Sequence, residues 1–431
     1  MTTKNELPSI MSRQSHTKAD GKNTAKSFQP LETADRLPKG WHRVKLGDAC
    51  KTSSGGTPSR GNKAYYAGSI PWIKSGELKD GIIEQTEESI SKLALAQSSA
   101  KLLPAGSLLV AMYGANVGKL GVTALEAATN QAVCAVIPGK DVDRDFLFWH
   151  LLSERENIIE TSFGGAQPNI SQAVVRSLEI PLPPLAEQKR IAGILKEQMA
   201  AVEKARAAAE AQLGAARALP AAYLREVFES DETKRWPEVQ LGNIAEIQLG
   251  KMLSPKSKTG ADPQPYLRNT NVQWNSFALK SVADMDFSQK ERKKFELRKG
   301  DLLVCEGGDP GRAAVWDGSI TPCYYQKALH RIRPNKDAAL ADFILYRLMY
   351  AGNKNEFIDS HAQTTIAHLP LVRLKALRVC LPPITEQKDI VAKMSKRLDA
   401  VKETIRRCEQ QLNDVNALPG AILRKAFNGE F

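Results

Sequence analysis

The residues that could do covalent chemistry are few, and their spacing is wrong for each familiar task. Gly114-Ala-Asn-Val-Gly118-Lys119 resembles a phosphate loop, but three residues separate its glycines where a P-loop has four. Leu120 also stands where a Ser or Thr would hold magnesium, so a tight turn between strands is expected there. No G-x-G-x-x-G follows a strand, and the Asn/Asp-Pro-Pro-Tyr/Phe motif of amino-methyltransferases is not found. His16, His42, His150, His330, His361 and His368 have neither metal-ligand nor triad-like spacing. Glu87-Glu88 reads as solvated surface. Cys50, Cys134, Cys305, Cys323, Cys380 and Cys408 lack any C-x-x-C pair and read as reduced, buried thiols. The expectation is a chain with no catalytic centre and no metal of its own.

Non-covalent recognition of a polyanion fits better. The 431 residues hold 60 Lys and Arg against 48 Asp and Glu, a net charge of +12. Reading DNA requires cations for phosphates and amide or guanidinium groups for base edges. One stretch offers Lys51, Ser53, Ser54, Thr57, Arg60, Lys63, Lys74, Ser75, Asn116, Lys119, Gln167 and Asn169. A second offers Lys251, Lys256, Lys258, Arg268, Asn269, Asn271, Gln273, Arg312 and Gln363, with the basic run QKERKKFELRK from Gln289. Gly55-Gly56, Gly164-Gly165 and Gly307-Gly308 would let backbone approach a ligand.

These loops need a frame, and the chain repeats one. LPPLAEQKR from Leu182 returns as LPPITEQKD from Leu381, and the same offset relates Ala218-Leu219-Pro220 to Ala417-Leu418-Pro419 and Phe228 to Phe427. In the second copy Val391, Met394, Leu398, Val401, Ile405, Cys408, Leu412 and Val415 alternate spacings of three and four, a heptad seam. Its extent is roughly 36 Å at about 1.5 Å per residue. The first copy answers with Ala192, Leu195, Met199, Val202, Arg206, Ala209, Leu213 and Ala216, Arg206 being the exception. Two such seams in one chain are expected to pack as an antiparallel pair. The Pro-Pro dipeptides mark both starts, Thr385 is a candidate cap with Glu386 beside the positive helix end, and Pro220 and Pro419 are expected to break or kink both helices.

Between the helices lie two globules that share a weaker repeat. WHRVKLG at Trp41 matches WPEVQLG at Trp236, Leu108-Leu109-Val110 matches Leu302-Leu303-Val304, and DFLFWHLLS at Asp145 matches DFILYRLMY at Asp342. Apolar runs such as Leu108–Met112 and Leu302–Cys305 read as strands, Asp145–Ser153 and Asp342–Tyr350 as helices. The fold class expected is α+β: two α+β modules in tandem pseudo-repeat, joined by two long helices in an antiparallel coiled coil. Residues 1–40 read as a disordered or loosely packed tail, 41–184 as module 1, 185–235 as helical region 1, 236–383 as module 2 and 384–431 as helical region 2. No signal peptide or membrane-length apolar run is seen, and a cytoplasmic location is expected.

On the duplicated LPP-x-x-EQK starts, the W-x-x-V-x-LG module openings and the IPLPP ending at Ile180, residues 41–431 resemble the specificity subunit of type I restriction-modification systems. The resemblance implies that each globule is a target recognition domain reading half of a split site in double-stranded DNA, with the helix pair setting the gap. It implies two modification (methyltransferase) subunits as partners carrying S-adenosylmethionine, and restriction/translocase subunits using ATP and magnesium. No cofactor would sit on this chain, and no membrane is involved. Two half-sites about six base pairs apart are expected, on the order of half a DNA turn. The competing readings are a protein-binding scaffold, separated by its weak salt dependence, and a stand-alone enzyme, separated by turnover of the purified chain.

Overall fold

The computed structural model describes residues 37–160, 168–254, 257, 259–357 and 368–431. The candidate residues Gln167, Lys256, Lys258 and Gln363, and residues 1–36 of the tail, lie outside these. The fold is α+β with two tandem modules and two long helices, Leu185–Phe228 and Ile384–Phe427. Two compact units form: residues up to Glu210 with Gln410–Phe431, and Ala211–Glu409. Each unit holds one module and parts of both helices.

In the first unit a five-stranded sheet has the order Cys50–Ser54, Val133–Pro138, Leu108–Ala111, Leu120–Thr123, Gly81–Ile83. Its middle strand is apolar throughout because both faces are covered. Leu108 and Val110 enter a core with the helix Arg144–Ser153 and both long helices, whereas Leu109 and Ala111 face a separate apolar cluster with Ile73 and Leu78. A smaller sheet, Glu88–Ile90, Ile70–Ile73, Ala128–Thr129, completes the module.

The second unit repeats the plan. Its four-stranded sheet runs Ala245–Leu249, Leu329–Pro334, Leu302–Cys305, Ala313–Val315. Leu302 and Val304 face the helix Ala341–Asn353, while Leu303 and Cys305 face a second cluster containing Tyr266 and Trp316. The smaller sheet Ala283–Asp286, Pro263–Leu267, Tyr324–Tyr325 matches that of the first module, down to one parallel and one antiparallel pairing.

The module openings are explained by their docking. First and last strands pair antiparallel in each, His42 opposite Leu182 and Glu238 opposite Cys380, so chain entry and exit lie side by side. Leu46 and Leu241 are fully buried, and their N–H groups donate to Leu178 and Leu377 carbonyls at 2.8 and 2.9 Å. A Cβ on Gly47 would meet the Arg176 side chain, and one on Gly242 that of Lys375. The Trp41 ring meets Phe146 at 6.3 Å, and Trp236 meets Phe343 at 6.2 Å.

The same two phenylalanines receive the far ends of the helices. Phe427 contacts Phe146 at 5.4 Å in the first unit, and Phe228 contacts Phe343 at 5.7 Å in the second. Leu195 and Met199 of the first helix share a core with Leu423 of the second, while Met394 of the second shares one with Leu224 of the first. The start of one helix therefore packs beside the end of the other, which makes the pair antiparallel. Seam positions are sheltered: Leu195, Met199, Leu213, Met394 and Val401 are buried, and Val202, Val391, Leu398, Ile405 and Leu412 half-buried. Arg206 is half-buried and paired with Glu203 at 2.7 Å.

Two expectations fail. The second helix begins at Ile384, so Thr385 lies inside its first turn, and Gln387 N–H donates to the Pro383 carbonyl at 3.0 Å. Pro383, one residue from its predecessor in the dipeptide, occupies the boundary that Thr385 was expected to cap. Pro220 and Pro419 break nothing, since both helices continue through them for eight further residues. Leu224 and Leu423, one turn later, are buried in the two cores, and that packing outweighs one missing backbone bond. Truncating Phe146 or Phe343 to alanine is expected to lower unfolding free energy by about 3–5 kcal/mol, read from chemical denaturation.

Candidate nucleic-acid interface

In each module several loops converge on one end of the main sheet. In the first, Gly55 N–H donates to Val133, Met112 to Ala132, Gly118 to Ala111, Asn130 to Ile73 and Ile170 to Met112, all at 2.8–3.2 Å. These bonds gather residues 54–60, 73–75, 112–119, 130–132 and 168–170 into one rim. The phosphate-loop lookalike is a turn between the strands Leu108–Ala111 and Leu120–Thr123, with positive φ at Gly114 and Gly118. It is pinned by Arg155, whose Nε donates to the Gly118 carbonyl at 3.0 Å and whose guanidinium pairs with buried Asp80.

The second module builds its rim from equivalent segments. Lys251 N–H donates to Tyr325, Lys327 to Lys251, Gln326 to Leu267, Gly311 to Cys305 and Leu369 to Glu306, at 2.7–3.1 Å. Single bridges repeat as well, Tyr113 with Asn169 and Gly307 with His368.

The rims bring together most of the candidates and reassign some. Thr57, Asn116, Lys119 and Asn169 sit on the first rim, with Ser53 beside them, half-buried. Lys51 is exposed but pairs with Ile137 near the opposite end of its strand. Arg60, Lys74 and Ser75 flank the rim beside the smaller sheet. Arg60 and Lys74 share Glu88, at 2.5 and 3.0 Å, and Lys74 also reaches Glu87 at 2.8 Å. The guanidinium lies over the Tyr66 ring, 4.4 Å from its centroid. Arg60, then Lys74, holds the Glu88 carboxyl down to about 2. This carboxylate is thus a latch, which corrects its reading as plain solvated surface. Thr57 donates to the Gln131 side chain.

Three candidates are engaged within the module itself. Ser54 donates to Gln172 at 2.9 Å, tying the strand end to the helix Gln172–Ser177. Lys251 is a buttress: its ammonium donates to the Asp286 carbonyl and to Glu291 at 2.6 and 2.8 Å, with 11% of the side chain exposed. Asn271 is buried, its amide donating to Ala278 and Ser281 carbonyls and its oxygen accepting from Arg268 N–H. Polar residues in glycine-rich loops satisfy either solvent or the loop's own backbone, and their spacing does not distinguish the two.

Arg268, Asn269 and Arg312 form one cluster on the second rim. Arg312 donates to the Asn269 carbonyl at 3.0 Å and lies 3.5 Å from Asp309, while Arg268 donates to Ser281. The rims also hold Tyr113, Gln131, Met252, Lys327 and His368, all exposed. Residue type alone does not select Tyr113 or Met252, which are apolar; their exposure at the rim is a tertiary property. The helix Gln289–Phe295 presents exposed Lys290, Lys293 and Lys294, while Arg292 pairs with Asp262.

Several histidines and cysteines are buried in the module cores. Burial pushes the thiols of Cys134 and Cys323 up to about 12 and that of Cys305 to about 11. Burial lowers His150 and His330, whose Nε2 atoms face backbone carbonyls of Glu179 and Leu369. No group of metal-binding residues occurs among the described residues, nor is any helix there long and apolar enough to cross a membrane.

The family model for the type I restriction modification DNA specificity domain matches twice, at residues 38–210 and 233–414. The chain is 25% identical over 429 residues to the EcoKI specificity subunit of the type I restriction enzyme of Escherichia coli K12, covering 92% of this chain and 90% of that protein. It superposes with a TM-score of 0.74 and 21% identity on a chain from a type I R-M system studied for complex assembly and conformational transition, covering 92% of this chain and all of that one. The HsdS subunit of Thermoanaerobacter tengcongensis gives 0.63 and 20%, covering 93% of this chain and all of that one.

Glu88 is depressed by its cationic neighbours, so the latch contributes fully above the ordinary glutamate range and is lost only as pH falls toward about 2. An NMR titration of the Glu88 carboxylate is expected to show it ionised at pH 4, with its midpoint moving toward 4.5 in Arg60→Met.

Proposed function

This chain belongs to the family of type I restriction-modification DNA specificity subunits, with two specificity domains in tandem, and from that premise we propose that each rim reads one half of a two-part DNA target. The observation that carries this is the duplicated rim: two modules that differ widely in sequence end their main sheets in the same five converging segments. The modules correspond to residues 41–184 and 236–383, with the helical regions 185–235 and 384–431 between and after them. Each rim approaches a groove of its half-site with polar side chains for base edges: Thr57, Gln131, Asn116 and Asn169 in the first, and Asn269, Gln326 and His368 in the second.

Lys119, Lys327 and the lysines of Gln289–Phe295 meet phosphates and hold the register, while Lys51, Ser75 and Ser53 lie further back. Phosphate competes with Glu88 for Arg60 and Lys74, so DNA binding opens the latch. The long helices act as a ruler between half-sites. Two modification subunits bring S-adenosylmethionine and the methyl-transfer step, and restriction subunits bring ATP and magnesium, all in the cytoplasm. This chain supplies the address. Its family is non-catalytic, and catalysis belongs to the partners.

Selection from random duplexes by the chain with its modification subunit is expected to return two short motifs separated by about six unread base pairs. A single contiguous motif overturns the reading. Adding about four residues, roughly one turn, to both helices is expected to widen the preferred gap and leave the half-sites unchanged. Affinity is expected to fall by about a thousandfold or more between 50 and 200 mM salt if six or more phosphates are contacted. A salt-independent complex favours a protein scaffold.

A further inference from the structure

The duplicated motif contains two buried glutamines, and neither touches a rim. Gln188 and Gln387 are both fully buried in the first turn of their long helices. The Gln188 oxygen accepts from the Asp143 N–H at 2.7 Å, and its amide donates to the carbonyls of Asp141 and Pro183 at 2.9 and 2.8 Å. The Gln387 oxygen accepts from the Leu340 N–H at 2.9 Å, and its amide donates to Ala338 and Pro382 at 2.9 and 2.8 Å. Both donors and one acceptor lone pair of each side chain are therefore used, in the same pattern.

Asp143 and Leu340 are the residues immediately before the helices Arg144–Ser153 and Ala341–Asn353, which carry Phe146 and Phe343. Each glutamine thus joins three points: the first proline of the pair before the long helix, the loop before the module's own docking helix, and the residue that immediately precedes that helix. Apolar packing between Phe146 and Phe427, or Phe343 and Phe228, tolerates small slides and rotations. Three directional bonds in a dry site do not.

We propose that Gln188 and Gln387 are positioning residues that lock each recognition module at one angle and height on its long helix, and so make the gap between half-sites a single value. This rests on the ruler reading above and deepens it: the helices set the length, and the glutamines set where each module stands along it. Gln188→Leu and Gln387→Leu keep the volume and remove all three bonds. Gln188→Asn and Gln387→Asn keep the amide but shorten its reach, and are used where a leucine variant does not assemble.

The test uses the full chain in complex with its modification subunit and duplexes carrying both selected half-sites with the preferred gap, one base pair more and one less. Hydrogen–deuterium exchange of peptides holding Asp143 or Leu340 verifies that the bonds are gone. The expected result is a roughly tenfold loss of preference for the wild-type gap, the scale of one or two buried hydrogen bonds, with discrimination against mutated half-sites unchanged. An unchanged gap preference with exchange raised overturns the proposal, as does a parallel loss of gap and half-site discrimination, which marks a purely structural role. The variant with both helices lengthened serves as control. If it shifts the gap while the glutamine variants do not, only this inference fails. If it shifts nothing, the ruler reading itself fails.

Discussion

Two aromatic clamps hold the structure together. Phe146 is caught between Trp41 at the opening of its module and Phe427 at the end of the second long helix, and Phe343 between Trp236 and Phe228. Each clamp joins three chain segments distant in sequence. Each works together with the paired first and last strands and with the bonds of buried Gln188 or Gln387 to seat a module on its long helix. Three of the four ring pairs meet edge to face and the fourth is tilted, so the contact shelters surface and favours particular ring orientations.

The clamps also account for the uneven repeat. A helix whose start must fit one module and whose end must fit the other meets the same demand twice, and Leu224, Phe228, Leu423 and Phe427 return at a fixed offset. The rims have no such demand. Much of their backbone is held by main-chain bonds, so side chains there differ more, as they do between the bridged pairs Tyr113–Asn169 and Gly307–His368.

Charge follows the same division. Several cations near the rims are engaged by the module itself: Lys251 by Glu291, Arg312 by Asp309, Arg60 and Lys74 by Glu88. A polyanion competes with these carboxylates, so a net charge of +12 overstates what is freely available. His150, His330, Cys134, Cys305 and Cys323 are meanwhile enclosed, and burial lowers the histidines and raises the thiols. The physical character of the chain is one of recognition.

Much of this was legible in the sequence, and the limit falls at a definite point. Periodicity alone determined the helices, because Met394, Val401 and their partners recur at the helical repeat whatever they pack against. The apolar runs Leu108–Met112 and Leu302–Cys305 likewise read as strands, while the sheet order showed them to be interior strands buried on both faces. The family resemblance rested on the same repeated motifs. Only the tertiary structure decided which way polar loop residues face. It turned Asn271 and Ser54 inward, made Lys251 a buttress, joined Glu88 to Arg60, and carried both helices past their prolines. It also gave Gln188 and Gln387 their partners, more than forty residues away along the chain. Spacing reports local geometry, whereas hydrogen bonds between distant segments are set by the fold that brings those segments together.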